Sequence, residues 1–257
     1  MLKKTHKAKL RLDTLLLELG LVASQERAAA LILAGRVLVK EQKVDKPGTP
    51  VTADAVIRVL GVDPPYVSRG GVKLAHALKH WQIAVQGRAC LDVGTSTGGF
   101  TDCLLQHGAA QVTAIDTGFG QIAMKLRMDE RVRLMERTNA RLLEPCALAA
   151  KPEELEATLM AMDVSFISAT MLLGPVLAAA PSLREAIVLV KPQFEVERGQ
   201  VGPGGIVRDA EAHRQAVDKV CENVRSLGWH VVETIDSPIT GTEGNKEFLL
   251  YARRVER

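Results

Sequence analysis

What this chain lacks narrows its function before any motif is read. Charge of one sign is not in excess: 33 basic against 30 acidic side chains leave a net charge of +3. The molecule as a whole therefore says little about its partners. Cysteine is sparse, and Cys90, Cys103, Cys146 and Cys221 show no paired metal-ligand spacing, so they read as small core residues in a reducing compartment. His76 and His80 stand four apart on an expected helix, but no acid completes a zinc-hydrolase pattern, and no metal site is expected. No secretory leader is expected either, since Glu18 interrupts the leucines at 15–19 and Asp13 precedes them. Residues 164–183 carry no charge and are just long enough to span a bilayer. Pro175, Pro181 and Gly174 break that run and Asp163 precedes it, so a strand end followed by a core helix is the better expectation.

What is present divides in two. Hydrophobic residues make up 47% of 257, enough for a substantial core, in one large domain or in a large domain plus a small one. Lys3, Lys4, Lys7, Lys9 and Arg11 crowd the beginning, a basic arm compatible with phosphate binding. Residues 11–20 read as a helix with Leu12, Leu15, Leu16 and Leu19 on one side and a stop at Gly20. Ser24 caps a second helix whose stripe is Ala28, Leu31 and Ile32, ending at Gly35. Residues 36–40 alternate as a strand, and 51–60 supply more strand after the Lys46-Pro47-Gly48 turn. This α+β unit is too small for its own enzyme site.

The run Arg11-Leu12-Asp13, Leu19-Gly20-Leu21, Ser24, Arg27-Ala28, Leu31-Ile32 and Gly35-Arg36-Val37 resembles the alpha-L RNA-binding domain. That domain is shared by a small-subunit ribosomal protein, pseudouridine synthases and tyrosyl-tRNA synthetases. The resemblance implies that Arg11, Arg27, Arg36 and Lys40 grip phosphates of structured RNA. Gln25 stands where a basic residue is usual, and Lys40-Glu41 replaces the usual Asn-Gly turn.

Residues 61–66 form a linker stiffened by Pro64 and Pro65. Beyond it a helix opens near Ser68 or the Gly70-Gly71 pair, with Lys73 in its first turn, where a cation is mildly unfavourable and therefore suggestive. Cys90-Leu91-Asp92-Val93 is a buried strand that breaks into a turn with Gly94, Gly98 and Gly99, the mark of a small-molecule site at the edge of an open α/β sheet. A dinucleotide turn would read Gly-x-Gly-x-x-Gly, and a Walker loop would need Gly-Lys-Ser/Thr; neither is here. Asp92 would repel a pyrophosphate but suits a cation, so S-adenosylmethionine, which carries an ammonium and a sulfonium, fits this turn. The next strand ends in Asp116, placed to hold both ribose hydroxyls, and a third leads to Asn139, whose polar edge suits adenine.

The fourth strand is expected over 160–168 and the fifth over 186–195; each sets one charge, Asp163 or Lys191, at the cofactor's crevice, where burial favours their pairing. A helix over 212–227 and a hairpin with arms 229–235 and 247–251 follow, and Glu247 opens the last arm. The glycine-rich stretch 194–208 reads as a mobile loop over the acceptor, with Arg198 and Arg208 as phosphate contacts.

At this length of agreement the chain resembles the TlyA family, hemolysin-A-like ribosomal RNA 2'-O-methyltransferases with an FtsJ-like catalytic domain. The segments that carry the resemblance include Val67-Ser-Arg69-Gly-Gly-Val-Lys73, Leu91-Asp-Val-Gly94, Ser96 with Thr97-Gly98-Gly99-Phe100-Thr-Asp102, Asp163-Val-Ser-Phe-Ile-Ser168, Val190-Lys-Pro-Gln-Phe-Glu195 and Gly244-Asn-Lys-Glu-Phe-Leu249. By position, the resemblance puts a catalytic Lys-Asp-Lys-Glu tetrad on Lys73, Asp163, Lys191 and Glu247. It also implies cofactor contacts from Asp92, Gly94, Ser96, Thr97, Gly98, Gly99, Phe100, Asp116, Asn139 and Asp163, and an RNA contact from Arg69. The expected fold is an RNA-binding domain over 1–60 and a Rossmann-like methyltransferase with a mixed seven-stranded sheet over 67–257. The expected partners are ribosomal RNA and ribosomal subunits in the cytoplasm, with neither DNA nor a membrane. A membrane-active cytolysin, suggested by the hemolysin name, and a non-catalytic ribosome assembly factor are the alternatives.

Overall fold

The computed structural model describes residues 9–19, 21–22, 24–53, 55–60, 65–150, 155–241 and 243–255. Lys3, Lys4, Lys7, the stop at Gly20 and linker positions 61–64 lie outside the described residues. The chain divides into two compact units between Pro65 and Tyr66.

In the first unit, β1 (Lys9–Arg11) leads directly into α1 (Leu12–Glu18), and α2 (Gln25–Leu33) follows. Leu12, Leu15 and Leu16 of α1 meet Ala28, Leu31 and Ile32 of α2, with Val37 and Val51 beneath. The spacing of these residues by three and four puts each set on one helix face. The Ser24 hydroxyl accepts from the Arg27 N–H at 3.2 Å, capping α2 as expected. Three strands form a small sheet: β2 (Val37–Val39) lies between β3 (Gln42–Val44) and, after β4 (Pro50–Thr52), β5 (Ile57–Val59). Two expectations change here. Arg11 ends a strand paired with β4 instead of opening a helix, and the stretch 51–60 is two short strands separated by a turn.

The second unit holds a seven-stranded sheet. Its strands are β6 (Ala89–Val93), β7 (Gln111–Ile115), β8 (Val132–Met135), β9 (Ala157–Met162), β10 (Glu185–Val190), β11 (Trp229–Asp236) and β12 (Phe248–Arg254). Their order is β11-β12-β10-β9-β6-β7-β8, parallel from β10 to β8, with β12 antiparallel to both neighbours. Successive side chains of a strand face opposite ways, and the two cores follow that alternation. Leu91, Met160, Met162, Val188, Val190 and Leu250 pack against α6 (Thr170–Ala179) and α8 (Ala210–Ser226). Cys90, Leu159, Ala161, Ile187, Leu189 and Leu249 pack against α3 (Gly70–His80) and α4 (Gly99–Gln106).

Both strands that carry the cleft's charges are shorter than their apolar runs predict. The fourth ends at Met162, after which the chain turns through Phe166 in a left-handed conformation (φ 65°). The fifth ends at Val190, because Pro192 has no N–H for a ladder and opens a single helical turn, Pro192–Glu195. The uncharged run becomes a loop and the ten-residue α6; no helix among the described residues is long and apolar enough to cross a membrane. The glycine-rich loop is fastened at its far end. The buried Asn245 side chain accepts from the Val207 N–H and donates to the Gly205 carbonyl, each at 2.9 Å.

Candidate active site

Strand register assembles the site. Val93 is level with Ile115 and with Met162, Met162 with Val188, and Val190 with Phe248. The residues just past the parallel strands, Gly94, Asp116, Asp163 and Lys191, therefore reach the same sheet edge. Because β12 runs the other way, Glu247 reaches that edge by preceding its strand. Chain order reverses between β6 and β9, the crevice where open α/β sheets bind ligands. Gly94 (φ 88°) sits in it, and a Cβ there would lie 2.3 Å from the Asp163 carbonyl oxygen.

The four tetrad positions converge. Lys73 Nζ is 2.5 Å from Glu247 Oε2, with both side chains buried, and Lys191 Nζ is 2.6 Å from Asp163 Oδ1. Two charges leaving water together need this pairing. Lys73 gets there because α3 begins against the start of α4, so closely that a Cβ on Gly99 would lie 2.2 Å from the Ser68 hydroxyl. All four line a polar cleft of 330 Å³ with Ser68, Arg69, Thr97, Gly99 and Phe100.

A second cleft of 340 Å³ adjoins it and shares Gly94, Ser96, Asp163 and Ser165 with it. Ile115, Ala140, Val164 and Leu172 give this one apolar walls, while Asp116 and Asn139 supply polar edges. The Asp116 carboxylate is held in place by the N–H groups of Ser96 (2.7 Å) and Gly118 (2.6 Å). The Asn139 side-chain oxygen accepts from the Arg141 N–H at 3.1 Å. A slot with apolar walls and an oriented carboxylate, lined by no lysine or arginine among the described residues, suits a nucleoside without phosphates. S-adenosylmethionine meets that requirement.

Several expected contacts lie elsewhere. Asp92 and Gly98 line neither cleft. By strand alternation Asp92 faces α4, fully buried, where the Thr101 hydroxyl donates to its Oδ2 at 2.6 Å while Oδ1 has no partner. Burial pushes its pKa up to about 7, opposed by the Thr101 hydrogen bond and reinforced by the charge of Asp163. Gly98 (φ 97°) packs on Leu126. Arg69 does line the polar cleft, and its guanidinium donates to the Thr240 carbonyl at 2.8 Å. Arg198 and Arg208 are exposed on the glycine-rich loop and line neither cleft. In the first unit Arg27, Arg36 and Lys40 are exposed. Arg11 is engaged, its guanidinium 2.6 Å from Asp13, whose carboxyl it holds below the usual range. Ser165, which sequence reasoning did not single out, accepts from Lys191 Nζ at 2.8 Å; an uncharged residue inside an apolar run gives no signal of its own.

The parallel sheet, the paired lysines and acids, and the phosphate-free nucleoside slot define an S-adenosylmethionine-dependent methyltransferase. Residues 66–254 match the model of the FtsJ-like methyltransferase family, and residues 10–57 match that of the S4 domain. Two relatives cover nearly the whole chain. The 16S/23S rRNA (cytidine-2'-O)-methyltransferase TlyA of Mycobacterium tuberculosis is 44% identical over 244 residues, 95% of this chain and 89% of the relative. YqxC of Bacillus subtilis is 44% identical over 241 residues, 94% of this chain and 84% of the relative. A solved structure from Streptococcus thermophilus that carries the hemolysin name matches with a TM-score of 0.71 at 37% identity, over 97% of this chain and 90% of that one. The chain belongs to the TlyA family of FtsJ-like methyltransferases.

Proposed function

We propose that this protein transfers a methyl group from S-adenosylmethionine to the ribose 2'-hydroxyl of a cytidine in ribosomal RNA, in the cytoplasm. One observation carries the reading: two lysine–carboxylate pairs, from four distant segments, line one polar cleft that opens onto the nucleoside slot.

A ribose hydroxyl is a weak acid, so a base must lie within hydrogen-bond reach while its oxygen attacks. When bound, the cofactor supplies an electrophilic methyl carbon on a positively charged sulfur that keeps the bonding pair. Lys191 is the base in this reading: the cation paired with Asp163 first releases a proton to solvent, and its amine then takes the hydroxyl proton. Asp163 lies 2.6 Å from it, and Lys73 with Glu247 lines the same cleft, where the Lys73 cation stabilises the developing oxyanion. Holding oxygen and methyl carbon in line supplies much of the remaining rate effect. Phe166, 92% exposed beside the cleft, offers a face on which an unpaired base can stack. Arg27, Arg36 and Lys40 of the S4 domain hold RNA phosphates, and Arg69 holds them at the cleft.

The test is Lys191→Ala. The expected result is methyl transfer to ribosomal RNA lowered at least about a hundredfold, with cofactor affinity measured by calorimetry close to that of the unsubstituted chain. Full transfer in the variant would remove Lys191 from the chemistry.

A further inference from the structure

Lys191 has a second partner besides its carboxylate. Its Nζ donates to the Ser165 hydroxyl at 2.8 Å and lies 2.6 Å from Asp163 Oδ1. Both partners come from the segment after β9, and that segment is pinned at two points. The Asp163 N–H bonds to the Val93 carbonyl at 2.9 Å. Further on, the buried carboxylate of Glu195 accepts from the Ala169 N–H at 2.7 Å and the Ser168 hydroxyl at 2.5 Å. Between these anchors the backbone reverses at Phe166, whose left-handed φ of 65° is an uncommon conformation for an aromatic residue. Such a turn persists only when its surroundings hold it, and here it sets Ser165 where the two clefts meet.

We propose that Ser165 is a positioning residue that aims the lone pair of Lys191 at the acceptor hydroxyl. The inference rests on the 2'-O-methyltransferase reading above. A neutral lysine amine has two hydrogens and one lone pair, arranged tetrahedrally with Cε. Donation to Ser165 fixes one hydrogen, while the Asp163 carboxylate oxygen, 2.6 Å away but without hydrogen-bond geometry, repels the lone pair and draws the second hydrogen to its side. The lone pair is then left with the one remaining direction, and the amine cannot turn about its Cε–Nζ bond without giving up the Ser165 hydrogen bond. During transfer the 2'-O–H bond breaks, its proton goes to this lone pair, and the oxygen's electron pair is free to bond the methyl carbon. With Ser165 absent, one hydrogen has no acceptor and the amine samples rotations in which the lone pair points away.

The test uses the full chain with Ser165→Ala and Ser165→Thr. Expected for Ser165→Ala is kcat on ribosomal RNA lowered about tenfold, with the KM for S-adenosylmethionine and its calorimetric affinity within about twofold of the unsubstituted chain. Threonine keeps the hydroxyl, so Ser165→Thr recovers most of kcat. Unchanged kcat in Ser165→Ala, or a loss that threonine does not repair, overturns the role. So does a fall in cofactor affinity matching the fall in kcat, because Ser165 would then serve the nucleoside slot. If the unsubstituted chain binds the cofactor but methylates no ribosomal RNA, the enzymatic reading itself fails, an outcome distinct from an active chain indifferent to Ser165.

Discussion

A carboxylate sealed from water with a single hydroxyl donor is costly to ionise, and Asp92 is in that position. The unfolded chain ionises this group near its ordinary value of 3.8, whereas the folded chain keeps it protonated up to about 7. Folding therefore takes up a proton between those limits, so the stability tied to Asp92 is greatest at acid pH and is lost as pH rises through that window. The cofactor-free protein should lose a few kcal/mol from this group between about pH 4 and about pH 7, and Asp92→Asn should flatten that part of the profile. Denaturant titrations across the range measure it, and an equal slope in the variant would assign the dependence elsewhere. Asp92 also marks how far residue identity reads through to role. Its position on β6 and its place in the glycine turn were legible in the sequence, but its direction depended on which face of the strand met α4, and that put it under the loop.

At the scale of elements, long periodic segments were readable and short polar ones were not. α2, α3, α8 and the five parallel strands follow from apolar spacing and caps. By contrast, Lys9–Arg11 and Gln42–Val44 are three-residue strands made mostly of charged and polar residues, too short to show a period. The overlong readings of β9 and β10 have the opposite cause: Val164 and Ile167 pack against the core and Phe194 meets the Phe166 ring at 5.4 Å, so the sequence stays apolar past the strand ends without extending the sheet. The hairpin joining β2 to β3 shows a local cost. Val39 pairs with Gln42, so its turn is Lys40-Glu41, and both residues are left-handed (φ 50° and 63°). Two-residue turns of this hand prefer Asn-Gly. Replacing Lys40-Glu41 by Asn-Gly should stabilise the hairpin by about 1 kcal/mol, slowing amide exchange of Val37–Val39 about fivefold, while weakening RNA binding through the loss of Lys40. Faster exchange would contradict the backbone argument, and unchanged RNA affinity would remove Lys40 from the phosphate contacts.

At the scale of the molecule, the S4 domain and the methyltransferase domain divide recognition from chemistry in this account. That four distant charges meet in one cleft was legible because family resemblance marked their positions. What brings them together is the sheet: one antiparallel strand beside a parallel set delivers Glu247 to the edge that Asp163 and Lys191 reach from the other direction. The central claim is that this edge methylates a ribose oxygen of ribosomal RNA. Its most direct test incubates ribosomal subunits with the chain and methyl-labelled S-adenosylmethionine, then maps the labelled nucleotides by mass spectrometry, with a dye-filled vesicle assay run on the same preparation. The account predicts label on the 2'-oxygen of cytidine, none with the Lys191→Ala variant, and no dye release; label on a base, or vesicle leakage with no labelled RNA, would contradict it.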